Sequence, residues 1–327
     1  MKLSILDQSP ISSGKSARDA LHASLELAVL ADELGYTRYW IAEHHDMDGL
    51  ACPNPDVMLG LIGSYTKRIR IGAGAVLLPH YKPYHVAETY NLLATLYPDR
   101  VDLGIGRAPG GSAEASIALS GNFLENVRRM PDALDDLLHF LHNDFAEDQM
   151  FSKIKPTPVP HRSPTVWLLG TSEKSALLAS RKGLPYVFGH FMSDADGPAI
   201  VKKYKEDGTG AIVTVSVICA ETTAEAEQLA LSSLLWNIQK GKGEGDGRVP
   251  SAGTAKNYAF SVEEQETIRK MRHKMIVGNP QQVRTQLEQL QKKYNADEWM
   301  IVTITHSYEA RMKSYKLLAD AVFDLNK

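Results

Sequence analysis

The chain has two cysteines, Cys52 and Cys219, among 327 residues. That is too few for a disulfide scaffold or a structural zinc site, and it suits a reducing compartment. It also lacks an excess of either charge. Lys and Arg number 36 against 39 Asp and Glu, for a net −3. So even a balance leaves no broad cationic surface for a nucleic-acid backbone. No apolar run approaches the roughly 18 residues needed to cross a bilayer. The opening MKLSILDQSP has one Lys and a very short apolar run before Asp7, unlike a secretory signal. There is no solenoid-like repeat and no Walker loop, and Gly104-x-Gly106 lacks the third glycine of a dinucleotide fingerprint. What is present is an ordinary globular composition, 43% hydrophobic and 23% charged. A soluble cytoplasmic protein of one large domain or two ordinary ones is expected.

The order of elements chooses between those two. Apolar, β-branched runs at 3–8, 39–44, 69–78, 101–107, 165–170, 186–191, 212–220 and 298–304 read as eight strands. Most are continuous rather than alternating, as parallel strands covered by helices are. Between them lie helical stripes, such as Leu21, Leu25, Ala28 and Ala31, and Val283, Leu287 and Leu290 after Pro280. Eight strand–helix units predict an α/β fold, a (β/α)8 TIM barrel spanning 1–327, with a doubly wound open sheet as the competitor. The length beyond roughly 250 residues falls into insertions between strands 4 and 5 and between strands 7 and 8. The first holds a helix near 126–142 and the proline-rich 155–164. The second holds GKGEGDG at 241–247, whose glycines and charges predict a mobile loop.

In a barrel, catalytic groups sit at the C-terminal strand ends. Those ends carry Asp7 and Gln8, then Glu43-His44-His45-Asp46, His80, Arg107, His190 and His306. Adjacent His44 and His45 on a strand would point to opposite faces, which argues against a shared metal. Arg107 closes a buried run, where an unpaired charge is costly, so an anion is expected to meet it. Gly170-Thr171-Ser172-Glu173-Lys174-Ser175 is a strand-to-helix turn. Its free amides and hydroxyls suit a phosphate, and equally suit an ordinary helix cap. Gly72-Ala73-Gly74-Ala75 puts small residues in mid-strand, marking either a flat ligand against the backbone or close helix packing.

Four segments then resemble one family: TRYWIAEHHD (37–46), RIRIGAGAVLLPHYKPYHVAE (68–88), RVDLGIGRAPG (100–110) and WLLGTSEKSALLASRKGLPYVFGHF (167–191). They are similar to the bacterial-luciferase-like flavin monooxygenases, and the likeness resumes at 275–283 and 297–315. The resemblance implies a (β/α)8 barrel, non-covalent FMN, a homodimer, and reaction of reduced flavin with dioxygen on a small organic substrate. It implies His44 and Glu43 as catalytic. Cofactor binding is implied for Leu6 and Asp7 and for a non-prolyl cis pair at Gly74-Ala75. Arg107 with Gly170, Thr171, Ser172 and Ser175 is implied to hold the phosphate. Gly106 stands where light-emitting members carry a reactive cysteine, so light emission is not expected. With no nicotinamide fingerprint, reduced flavin is expected from a separate reductase. A deazaflavin-dependent reductase, a non-catalytic flavin-binding barrel and a metal-dependent hydrolase are the alternatives.

Overall fold

A computed structural model describes residues 1–323. The strands are β1 (Leu3–Asp7), β2 (Arg38–Ile41), β3 (Arg70–Leu77), β4 (Val101–Gly106), β5 (Thr165–Gly170), β6 (Tyr186–Gly189), β7 (Ala211–Cys219), β8 (Met275–Gly278) and β9 (Glu298–Val302). All pair in parallel, and β9 pairs with both β1 and β7, closing an eight-stranded barrel without β8. The expected (β/α)8 barrel is therefore the fold.

Helices follow the strands: α1 (Ala17–Leu34), α2 (Pro55–Tyr65), α3 (Pro83–Leu96), α4 (Ala113–Ser120), α5 (Phe123–Arg128), α6 (Met130–His142), α7 (Glu173–Arg181), α8 (Gly197–Tyr204), α9 (Thr223–Lys242), α10 (Ala252–Asn257), α11 (Val262–His273), α12 (Pro280–Tyr294) and α13 (Tyr308–Phe323). Their starts are written locally. Ser16, Ser172, Ser261 and Asn279 each form a reciprocal capping box with the residue three positions on. Among the described residues no helix is long and apolar enough to cross a membrane.

Two expectations need correction, and a third is sharpened. The ninth strand, β8, is absent from the sequence expectation; it lies outside the barrel, on the far end of β7, where Val217–Cys219 runs beyond its pairing with β9. The helix expected at 126–142 is two helices broken at Arg129. Continued past that point, Pro131 would clash with the carbonyl of Val127. The 241–247 segment is exposed as far as Asp246, as a solvent loop is, but is anchored at its end. Trp236 Nε1 donates to the Gly247 carbonyl at 2.7 Å, and Asp246 accepts the Ser13 hydroxyl at 3.0 Å. Gly49 and Gly247 pack so closely that a Cβ on Gly49 would sit 2.1 Å from the Gly247 oxygen.

The barrel encloses Leu6, Trp40, Val187, Ile212 and Met300, while a larger core lies between strands and helices. Its N-terminal floor is ionic. Arg38 binds Glu298 at 2.7 and 2.9 Å and Asp102 at 2.7 Å. Arg70 and the Trp40 indole also reach Asp102, at 2.6 and 3.0 Å. Two cations and two carboxylates balance there, so the buried charges are mutually compensated.

Candidate active site

At the opposite, C-terminal end of the barrel a cavity of about 270 Å³ opens. Its apolar wall is made by Leu6, Ala42, Ala75, Leu169 and Val187, and Gly74, Gly106 and Gly170 flatten it. Side chains there would crowd the wall: a Cβ on Gly74 would lie 2.6 Å from Leu6 Cδ1, and one on Gly106 3.0 Å from the Ala75 methyl. The Gly74–Ala75 peptide is cis, as the resemblance implied.

One end of this cavity gathers a guanidinium, hydroxyls and a helix start. Arg107 follows β4 directly and lines the cavity with Thr171, Ser172 and Ser175. It is exposed rather than buried, because β4 ends at Gly106 and the chain turns out to solvent. Among the described residues it has no ion-pair partner. Opposite it, Ser172 caps α7 and Ser175 closes the capping box, donating to the Ser172 carbonyl at 2.7 Å. The ordinary cap is thus present, and it aims the start of α7 at the cavity. Tyr186, at the start of β6, holds Ser175 through a 2.9 Å hydroxyl contact. Burial pushes the Tyr186 phenol up to about 12. A Cβ on Gly170 would strike Ser175 Oγ at 2.2 Å, so only glycine admits this tight turn.

The other end carries His44. β2 stops at Ile41, so His44 and His45 lie on a loop, not on a strand. His44 lines the cavity, and its Nδ1 is buried with no hydrogen-bond partner among the described residues. Burial, then the charges of Lys240 and His45, lower its pKa to about 4, so it is neutral near pH 7. His45 turns the other way, onto Glu43 at 2.7 Å. Glu43 borders the cavity, but its carboxylate also accepts Tyr81 Oη at 2.8 Å and the Leu77 amide at 3.1 Å. Its carboxylate thus lines the cavity while held by three donors, an arrangement that suits a positioning role.

Asp7, expected to bind the cofactor, is not among the residues that line the cavity. Its carboxylate lies away from the cavity, bound to Arg311 at 2.5 Å and to the Tyr39 hydroxyl. Burial opposes its ionisation, yet Arg311 outweighs it and holds the carboxyl below its usual range. Asp7 thus ties α13 to β1. The other strand-end histidines do not converge either: His80 stacks on Phe123, His190 bonds Tyr294, and His306 bonds the Ser13 carbonyl. Position at a strand end says nothing of side-chain direction. Among the described residues no three metal-ligating groups come together. Sequence reading missed Tyr81 and Tyr186, which carry no local motif.

A larger cleft, about 730 Å³, lies outside the barrel over α3 and α6. Residues Leu78 to Tyr81 separate it from the inner cavity. Size does not decide between them. The flat wall, the unpaired guanidinium and the unpartnered imidazole meet only in the smaller one.

A barrel with such a mouth defines a cofactor-using α/β enzyme, and comparison with known proteins narrows the class. The family model described as luciferase-like monooxygenase matches residues 1–295. N-acetyl-S-alkylcysteine monooxygenase of Bacillus subtilis (strain 168) is 34% identical over 98% of both chains. Among solved structures, apo-MsnO8 superposes with a TM-score of 0.87 at 33% identity, covering 99% of this chain and 98% of its own. The oxygenating constituent of 3,6-diketocamphane monooxygenase from Pseudomonas putida, solved with FMN, shares the fold at 21% identity. Its TM-score is 0.72, covering 98% of this chain and 97% of its own. The chain belongs to the luciferase-like monooxygenase family and is a flavin-dependent monooxygenase.

Proposed function

We propose that the chain is the oxygenating component of a two-component system, taking reduced FMN from a separate reductase and oxygenating a small organic substrate. The observation that carries this reading is the unpaired Arg107 facing the Ser172–Ser175 turn across a flat apolar wall. A phosphate fits between guanidinium and helix start, and a planar ring fits a wall flattened by Gly74 and Gly106. When bound, the flavin supplies the electrons that activate dioxygen. Proteins of the same fold are solved with FMN and with an F420–acetone adduct, so the fold admits either group. FMN is chosen because the family and a relative are named for monooxygenation, which needs a flavin that reacts with dioxygen.

The chain's own residues do the rest. Arg107 and the hydroxyls of Thr171, Ser172 and Ser175 fix the phosphate end. Leu6, Ala75, Leu169 and Val187 exclude water from the ring's surroundings. His44, neutral near pH 7, offers one ring nitrogen to accept a hydrogen bond or to hold a proton at Nδ1. Glu43 keeps the loop that carries His44 in register with β3. A homodimer is part of the proposal: Val57, Leu61 and Tyr65 on α2 and Leu92 and Leu96 on α3 leave apolar side chains exposed.

One relative is named for S-alkylcysteine derivatives, so thioethers are the first substrates to try. The test supplies NADH, a flavin reductase, FMN and 18O2 with N-acetyl-S-benzylcysteine and other thioethers. One labelled oxygen atom in an organic product supports the reading. Reoxidation of the flavin with all oxygen recovered as hydrogen peroxide, across the panel, contradicts it.

A further inference from the structure

The inner cavity has one sulfur in its lining. Among the described residues that form it there is no cysteine, tryptophan or tyrosine, and Met192 is the only methionine. Cys52 and Cys219 are buried elsewhere. Met192 ends the single helical turn His190–Met192 that follows β6. That turn is held on both sides of the methionine. His190 shares a hydrogen bond with the Tyr294 hydroxyl at 2.8 Å, and Ser193 Oγ donates to the Thr171 carbonyl at 3.2 Å.

The backbone is fixed, yet the side chain is open. Met192 is 64% exposed. Its thioether lies over Gly189, where a Cβ would come within 3.3 Å of both Met192 Cγ and Sδ and of the Thr171 methyl. The sulfur therefore sits at the rim of the cavity, beside the turn that carries Thr171 and Ser172. An occupant of a cavity of about 270 Å³ lies close to every part of this lining.

A thioether in that place has a defined chemistry. Peroxides convert methionine to its sulfoxide, and exposure favours the reaction. An enzyme that activates dioxygen with a reduced flavin makes such an oxidant inside the cavity, at an effective concentration that bulk peroxide does not reach.

We propose that Met192 is an oxidation site: when no organic substrate takes the oxygen, peroxide formed in the cavity converts its thioether to the sulfoxide. One S–O bond forms and the O–O bond of hydrogen peroxide breaks. The sulfur gives up two electrons, and the second peroxide oxygen leaves with both protons as water. The product carries a polar S=O beside Gly189 and Thr171, so the site marks turnover without substrate. The proposal rests on the reading that reduced FMN meets oxygen in this cavity.

Met150 supplies the internal control. It is more exposed, at 74%, and lies outside the inner cavity, so oxidant arriving from bulk solvent should reach it at least as readily. The full chain is loaded anaerobically with reduced FMN and cycled with 18O2, with catalase present and no organic substrate. Labelled sulfoxide is then read peptide by peptide by mass spectrometry. Met192 is expected to carry at least about fivefold more label than Met150. Hydrogen peroxide added to the flavin-free protein should show no such preference. Equal labelling of the two methionines in the flavin cycles, or the same preference for Met192 with added peroxide alone, overturns the proposal. If flavin binds and oxygen is consumed while Met192 stays unlabelled, this inference alone falls. If no flavin binds and neither methionine is labelled, the FMN reading falls with it.

Discussion

The backbone amide of Leu77 donates to the carboxylate of Glu43 at 3.1 Å, joining the end of β3 to the loop that carries His44. Because the same carboxylate also takes Tyr81 and His45, one buried side chain sets the geometry of the wall between the cavity and the outer cleft. Replacing Glu43 with Ala leaves these donors without an acceptor. With a cost of about 1–3 kcal/mol for a stranded buried group, Glu43→Ala is expected to lower stability by at least about 2 kcal/mol. Glu43→Gln, which keeps an acceptor, should retain the fold and FMN affinity. Urea denaturation and flavin titration of the two variants check this.

Arg107 is assigned to a phosphate, so its effect must depend on one. Being exposed, it sits at the weak end of the range for charge-assisted bonds, and Arg107→Ala is expected to cost about 1–2 kcal/mol of FMN affinity. Riboflavin, which has no phosphate, should bind both proteins alike. A parallel titration with the two flavins decides it; equal losses for both would remove the assignment.

Neutral His44 makes stability depend on pH. Its pKa is about 4 in the folded chain, against 6.5 when unfolded. The unfolded chain therefore takes up the proton first as pH falls, and stability is lost between about pH 6.5 and 4. The full effect is on the order of 3 kcal/mol by the size of the shift. Above pH 6.5 the group contributes no slope. His44→Gln should flatten the stability profile in that window and leave it unchanged at pH 8, measured by urea midpoints across pH.

The ionic floor predicts a mutation that harms the fold and not the site. Asp102→Ala leaves Arg38 with Glu298 alone, takes from Arg70 its carboxylate and strands the Trp40 indole at the N-terminal end of the barrel. Loss of one partner from such a buried network costs about 3–5 kcal/mol. The fraction that remains folded should bind FMN with wild-type affinity, because the floor and the cavity lie at opposite ends. Thermal unfolding with and without FMN reads both quantities.

Much of this architecture was legible before any coordinates, for physical reasons that also explain what was not. Parallel strands covered by helices leave apolar, mostly continuous runs, and all eight barrel strands are visible as such runs. β8 did not: it is four residues long and pairs only with the overhang of β7. Gly74, Ala75 and Gly170 were visible because close backbone approach demands small residues. Side-chain direction was not visible, so Asp7 and three strand-end histidines were credited to a cavity they do not reach. Composition could not show the anchors at Asp246 and Gly247, which Ser13 and Trp236 supply from elsewhere in the chain. Arg107 lines the cavity but is exposed where burial was expected, since the buried strand ends one residue before it.

The account's central claim is tested most directly by anaerobic titration with reduced FMN, in parallel with a reduced deazaflavin, followed by admission of oxygen. We predict one equivalent of reduced FMN per chain, bound more tightly than the deazaflavin and weakened by Arg107→Ala, with oxygen consumed after mixing. Tighter binding of the deazaflavin, or FMN binding indifferent to Arg107, would contradict it.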